Sequence, residues 1–133
     1  MKYIFLFSLF CSSTYLHGQT SNNCDSIKNI VDTSATYKNG STDILAFFTK
    51  NIRPIIDSLY SNDNRYITKL KMQLVIDNTG KLISAYPMTI DIPVRYRKRI
   101  QIAFMTMELW KPAVYRSEKV CSKIIIPFYI DWK

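Results

Sequence analysis

The 133-residue sequence is poor in the residues on which much enzyme chemistry depends. It contains one histidine, His17, and three cysteines, Cys11, Cys24 and Cys121. His17 lies in an N-terminal segment that we expect to be removed, so the working chain is predicted to hold no imidazole. That excludes His-based catalytic triads, histidine general bases and His-ligated zinc. The two cysteines that then remain are too few for a zinc site of four thiolates.

The sequence also lacks an apolar run of the roughly 20 residues that a membrane-spanning helix needs. Its apolar stretch 3–10 follows Lys2 and precedes small and polar residues that end at Gln19. This order is typical of a secretory signal peptide. We therefore interpret residues 1–19 as a cleaved signal peptide rather than an uncleaved anchor. Lipid attachment at Cys11 is disfavoured, because bulky Phe10 precedes it.

Export has consequences for charge and for cysteine chemistry. Removing 19 of the 133 residues leaves 114, and the loss of Lys2 lowers the formal net charge from +8 to +7. Cys24 and Cys121 would then lie in a compartment where disulfides persist. A bridge between them would close a loop of about 100 residues and stabilise the fold by up to about 4–5 kcal/mol. Two free thiols remain an equal alternative, because a sequence does not fix the separation of two α carbons.

Two segments have helical periodicity. After a polar lead-in over residues 20–36, Leu45, Phe48 and Ile52 recur at helical spacing and predict a helix that begins near Ser41. Pro54 is expected to interrupt that helix, which resumes for a turn or two before a loop at 61–64. The second predicted helix begins at Pro93, a residue well tolerated in a first turn, and runs to about Leu109.

Three segments alternate as strands do. Residues 69–77 alternate strictly, residues 77–80 form an Asp-Asn-Thr-Gly turn, and residues 81–88 return as a second strand. Residues 120–132 alternate again. The order helix, strand, strand, helix, strand predicts an α+β domain with two helices packed on one face of a three-stranded antiparallel sheet.

Four stretches of the chain, in this order, resemble the TonB C-terminal domain family. They are Tyr37–Gly40 with Asn51–Pro54, then Leu74–Lys81, then Trp110–Ala113, and finally Lys123–Ile130. The resemblance covers roughly residues 37–132 and assigns residues 37–133 to one TonB-like domain. The chain departs from the family at Arg53, where tyrosine is frequent, and at Ala113, where glycine is expected. It also shows neither the membrane helix nor the Pro-rich spacer of classical TonB.

The resemblance implies a periplasmic protein-binding module linked to outer-membrane transport. In the family, the last strand is a sheet edge that accepts a peptide of an outer-membrane transporter as an added strand, which is one general use of an unpaired edge. We therefore expect an envelope peptide or protein as partner, or self-association through the same edge. The residues predicted to take part are Arg53, Pro54, Ile124, Ile125, Ile126 and Phe128.

The sequence does not indicate catalysis. Its aspartates stand singly near caps and turns, where capping is their usual role, and no metal or cofactor motif is visible. Nucleic acid is not expected as a partner, because no binding motif accompanies the basic charge. The basic cluster 95–99 is interpreted as surface charge or as a contact for an acidic partner. The alternatives are a structural or inhibitory envelope protein whose own chain covers the sheet edges, and a small envelope hydrolase.

Overall fold

A computed structural model of the chain describes residues 24–132. The interpreted signal peptide, residues 1–19, and the first part of the polar lead-in lie outside the described residues. The described part is a mixed α+β fold with two helices and a multi-strand sheet, which confirms the predicted class.

The first helix is continuous and consists of three segments. It starts as α1 over Ser41–Phe47, continues as a π-helical stretch over Phe48–Ile52, and proceeds as α2 over Arg53–Asp63. Pro54 accounts for the π-helical stretch, because its ring would collide with the carbonyl of residue i−4 in a regular α-helix. The helix therefore widens before Pro54 instead of ending there. It also includes residues 61–63, so the predicted loop at 61–64 was wrong.

The second helix, α3, spans Val94–Phe104 and is shorter than predicted. Pro93, the predicted first residue, is its N-cap, so the helix begins one position later than predicted. At its end the amides of Thr106 and Met107 bond to carbonyls three residues back, at 3.2 and 3.0 Å. Such tighter bonds close the last turn and end the α-helix before Leu109.

The described residues form seven strands. They are β1 (Ile27–Lys28), β2 (Thr36–Tyr37), β3 (Lys69–Ile76), β4 (Leu82–Pro87), β5 (Trp110–Lys111), β6 (Ala113–Tyr115) and β7 (Glu118–Tyr129). The main sheet has the order β1-β7-β3-β4, with β6 also paired to β7. Strands β2 and β5 form a separate two-stranded sheet.

The prediction of a three-stranded, purely antiparallel sheet was wrong. The central strands β4, β3 and β7 are antiparallel, but within the described residues the main sheet has five strands and β1 runs parallel to β7. A disulfide between Cys24 and Cys121 explains the extra parallel strand, because it ties the N-terminal segment to β7. Strand β6 arises because the chain reverses at Arg116 and Ser117, both with positive φ, and pairs back onto β7.

The helices and the main sheet enclose one hydrophobic core. Leu70, Met72 and Leu74 of β3 are fully buried. Phe128 of β7 stacks on Phe48 of the first helix, with ring centroids 4.4 Å apart. Because successive side chains of a strand point to opposite faces, the alternate residues of β3 and β7 lie on the other face. That face is solvent-exposed at Lys69, Lys71, Ile125, Pro127 and Tyr129.

Candidate partner-binding edge

The direction of the backbone groups of β7 follows from its pairing with β3. The Lys71 carbonyl accepts a hydrogen bond from the Met88 amide at 2.7 Å, on the β4 side. Lys71 lies opposite Pro127, so this is a non-hydrogen-bonded pair, and the Pro127 backbone points away from β3. By the same alternation, the N–H and C=O groups of Ile125 and Tyr129 also point to the outer side of β7.

The start of this outer side is occupied by the chain's own strand β1, which pairs with Cys121 and Ser122. Strand β6 pairs with residues 118–120, but it does so on the side of β3, because the Val114 backbone bonds to Thr33 and leaves Val120 as the hydrogen-bonded residue. Among the strands of residues 24–132, only β3 pairs with residues 123–129 of β7. We call the outer side of residues 123–129 the free edge.

The opposite edge of the sheet, that of β4, is closed by side chains of α3. The Gln101 amide nitrogen donates to the Ala85 carbonyl at 3.2 Å. The Arg97 guanidinium donates to the carbonyls of Pro87 at 3.4 Å and Thr89 at 2.6 Å, and to that of Ile92 at 3.1 Å. These donors occupy acceptors that an added strand would need, so the two edges of the sheet differ in their availability.

An apolar groove lies beside the free edge. Its volume is about 250 Å³, and it runs between α1 and β7. This is smaller than the roughly 300–1,000 Å³ of sites for drug-sized molecules, but it has room for one or two side chains. The lining consists of Ser41, Ile44, Leu45, Ile126, Pro127 and Phe128. Leu45 is 59% exposed although it is a large apolar residue of a helix.

The predicted β7 residues divide between the two sides of the strand. Ile124, Ile126 and Phe128 pair with β3 in the hydrogen-bonded positions and face the helices. Ile125, 45% exposed, faces the opposite side of the sheet and directs its backbone outward. Ile125 is therefore the predicted residue whose backbone belongs to the free edge, whereas Ile126 and Phe128 contribute side chains to the groove.

Arg53 and Pro54 have other surroundings. The Arg53 guanidinium donates to the Asp57 carboxylate at 2.8 Å and to the Asp131 carbonyl at 3.1 Å, and it lies 4.9 Å from the centre of the Trp132 ring. Pro54 stands in the first turn of α2. Arg53 thus holds the chain beyond the end of β7, and it does not line the groove.

The basic cluster of α3 is largely engaged within the fold. Arg95 bonds both carboxylate oxygens of Asp63, at 2.7 and 2.9 Å, and lies over the Tyr96 ring. The hydrogen bond that Arg95 donates to Asp63 raises the pKa of Arg95. Arg97 is committed to the β4 side, whereas Arg95, Lys98 and Arg99 are exposed to solvent.

A second, more polar cleft of about 310 Å³ lies between α1 and the loop after α3. Its Lys38 and Glu108 form an ion pair at 3.0 Å, which raises the pKa of Lys38. Both side chains are exposed to solvent. This geometry lacks the buried, perturbed acid or base that marks many catalytic sites.

Some contributors to the edge region were missed in the sequence. Leu45 was predicted only as part of the apolar face of a helix, and its place beside β7, like that of Ile44, depends on how that helix crosses the sheet. Arg97 and Gln101 were not expected to close the β4 edge. Their i, i+4 spacing places both residues on one face of α3, but the spacing does not show which strand that face contacts.

No helix within residues 24–132 has the length and apolarity to span a membrane. In the same part of the chain, no group of three or more His, Cys, Asp or Glu side chains is placed to hold a metal ion. Comparison of the chain with protein-family models, curated proteins and solved structures found no match.

Proposed function

We propose that this chain is an exported, non-enzymatic binding module that adds an extended segment of an envelope protein as a strand on the free edge. The observation that carries the proposal is the contrast between the two sheet edges. The carbonyls of β4 are occupied by Arg97 and Gln101, whereas residues 123–129 of β7 have an outer side without a partner strand in the described part of the chain.

In this proposal the backbone groups of the free edge supply the affinity. Ile125 offers an outward N–H and C=O, Pro127 offers a carbonyl alone, and Tyr129 offers both groups again. Strand addition uses such groups for affinity and pockets for alternate side chains for selectivity. The groove beside Leu45 is a pocket of that kind.

The resemblance to the TonB C-terminal domain family supports the same reading. It rests on the motifs of residues 37–132 and implies a periplasmic location, a TonB-like arrangement of the core strands and a partner in outer-membrane transport. The Cys24–Cys121 disulfide is consistent with an oxidising compartment. Pro127 restrains uncontrolled pairing, because it removes one N–H from the free edge.

A second candidate, a structural or inhibitory protein with covered edges, is favoured by one observation. Strand β1 already pairs with Cys121 and Ser122 on the outer side of β7. On this alternative, the covering segment would prevent strand addition, and the folded protein would bind no extended partner at β7.

The test is capture of a partner from envelope extracts by the mature protein and its variants. Ile125→Pro removes an outward N–H without touching the β3 ladder, so it is expected to abolish capture while circular dichroism shows a folded protein. Ile125→Ala keeps the N–H and tests the side chain alone. Lys98→Ala on α3 is the remote control and is expected to capture normally.

Capture by folded Ile125→Pro protein equal to that of wild type would overturn the proposal. Tyr129→Pro, which removes another outward N–H of the free edge, serves as the second variant if Ile125→Pro does not fold. Sedimentation of the protein alone distinguishes self-association from binding of a different chain.

A further inference from the structure

A strand added at the free edge would meet two chemically different surfaces. Its side chains would alternate between the helix side and the open side of the sheet, because successive residues of a strand point to opposite faces. This inference rests on the proposed function and concerns which segment the free edge would accept.

The helix side is apolar. The groove is lined by Ile44, Leu45, Ile126, Pro127 and Phe128, and Ser41 is its one polar member. Side chains of an added strand that point toward α1 would enter this groove, and its volume of about 250 Å³ suits one or two aliphatic groups. A charged group placed there would lose hydration without gaining a partner.

The open side is cationic. Lys69 and Lys71 of β3 are exposed, and Lys123 of β7 is half-buried on the same face. Strands β3 and β4 contain no Asp or Glu, and β7 contains only Glu118, at the end covered by β6. The nearest carboxylate downstream, that of Asp131, follows the end of β7.

Aromatic side chains on this face add flat contact area beside the lysines. Tyr129 is 74% exposed, and the Lys69 ammonium lies 5.3 Å from the centre of its ring. Tyr86 of β4, opposite Gln73, is 49% exposed. The face therefore combines positive charge with exposed rings, and it favours carboxylates over ammonium groups.

The length of the free edge limits the segment that pairs. Strand β1 occupies the edge at Ser122, and the strand ends at Tyr129. Beyond Lys123, which adjoins the end of β1, the outward backbone groups are those of residues 125, 127 and 129. Such an edge pairs with about five residues of an extended chain at roughly 3.4 Å per residue.

We propose that the free edge selects a segment of about five residues in which apolar and acidic side chains alternate. The apolar side chains enter the groove between α1 and β7, and the carboxylates point to the open side, where Lys69, Lys71 and Lys123 supply positive charge. An acidic polymer without apolar side chains would use the lysines but leave the groove empty, and the test below separates the two cases.

The test uses three fluorescein-labelled peptides with blocked ends and measures binding by fluorescence anisotropy. The peptides are Val-Glu-Val-Glu-Val, Val-Lys-Val-Lys-Val and Val-Val-Val-Glu-Glu. The first is expected to bind about tenfold more tightly than the second, because exchanging two carboxylates for ammonium groups turns attraction into repulsion. The third has the composition of the first without its alternation and is expected to bind severalfold more weakly.

Charge reversal on the protein tests the assignment of each surface. Lys71→Glu with Lys123→Glu is expected to reverse the preference between the Glu and Lys peptides. Leu45→Asp is expected to weaken binding of both, because it places a charge beside the groove. Lys98→Glu on α3 changes the net charge by as much as each of the other two Lys→Glu substitutions does. It is expected to leave the preference between the Glu and Lys peptides unchanged. The preference should shrink in 0.5 M salt, where the Debye length falls to about 4 Å.

The outcomes separate this inference from the proposed function. Equal affinity for the Glu and Lys peptides, both lost in Ile125→Pro, would overturn the charge selectivity and leave edge binding intact. Equal affinity for the alternating and block peptides would overturn the alternation and indicate an acidic polymer site. Failure of all three peptides, with Ile125-dependent capture of a partner preserved, would overturn the inference alone. Peptide binding that persists in Ile125→Pro would overturn both proposals.

Discussion

Gly80 and Trp110 are in direct backbone contact. The Trp110 amide donates to the Gly80 carbonyl at 2.7 Å. Gly80 has a φ of +91°, and a β-carbon added to it would overlap the Trp110 carbonyl oxygen. This contact joins the β3–β4 turn to the strand that follows α3, and the buried Trp110 ring packs on Tyr37 with centroids 5.3 Å apart.

We expect Gly80→Ala to destabilise the fold strongly, and Gly40→Ala provides the matched control. Gly40 also has a positive φ, +104°, but an added β-carbon there meets nothing within 4 Å. Gly40→Ala should therefore show the conformational cost alone, about 1–3 kcal/mol. Gly80→Ala should lower the free energy of unfolding by about 1–3 kcal/mol more than Gly40→Ala does, because the backbone must move to make room for the β-carbon. Urea unfolding measures both; equal losses would contradict the contact argument.

The Cys24–Cys121 disulfide is expected to carry a large share of the stability. It joins residues 97 apart in sequence, with α carbons 5.7 Å apart. Loop-closure entropy predicts a loss of about 2–5 kcal/mol on removal. The Cys24→Ser, Cys121→Ser double variant and reduced wild type should show the same loss in urea unfolding. Unchanged stability in both would contradict the prediction.

Parts of this architecture were readable from local sequence, and others depend on distant contacts. The alternation of β3 and the Asp77–Gly80 turn are set by neighbouring residues, so both were predicted. The parallel strand β1 exists where Cys24 meets Cys121, a contact across nearly the whole described chain. The π-helical stretch was also missed, because Pro54 ends most helices, and only packing of Ile52 and Ile56 in the core keeps this one continuous.

The same distinction applies to the candidate site. The apolar character of residues 124–128 indicated a strand that belongs to the core, and the resemblance suggested an edge. The register with β3, in which Lys71 is opposite Pro127, determines which residues of β7 direct their backbone N–H and C=O groups outward. No local pattern states that register. The role of Arg53 depends on its contact with Trp132, which lies 79 positions later in the chain.

Arg53→Ala is expected to lower stability without lowering the affinity of the folded protein for an edge partner. The variant loses a cation–π contact of about 0.5–2 kcal/mol and hydrogen bonds to Asp57 and the Asp131 carbonyl. Arg53→Lys should fall between wild type and Arg53→Ala, because lysine keeps the charge but not the planar donors. Affinity is measured at a temperature where each variant is folded. A folded Arg53→Ala protein with weakened binding would instead make Arg53 a partner contact.

The stability of the fold is expected to depend on the ionisation of Asp77. Burial acts to raise the pKa of this carboxyl, but hydrogen bonds from the Thr79 hydroxyl and from the Lys81 and Thr79 amides outweigh burial, so the pKa lies below its usual value. The three bonds to one carboxylate oxygen measure 2.6, 2.9 and 2.8 Å. Because the folded-state pKa is depressed, the stabilisation is fully present above about pH 4 and is lost as the pH falls through the folded-state value.

Unfolding free energy measured from pH 6 to pH 2 checks this dependence. Asp77→Asn keeps an oxygen acceptor but cannot ionise, so the advantage of wild type over the variant should shrink below about pH 4. Thr79→Val removes the hydroxyl donor, so the folded-state pKa of Asp77 should rise toward its usual value and narrow the pH interval over which stability changes. A constant difference between wild type and Asp77→Asn across the whole range would show that Asp77 stabilises the turn by hydrogen-bond geometry and not by its charge.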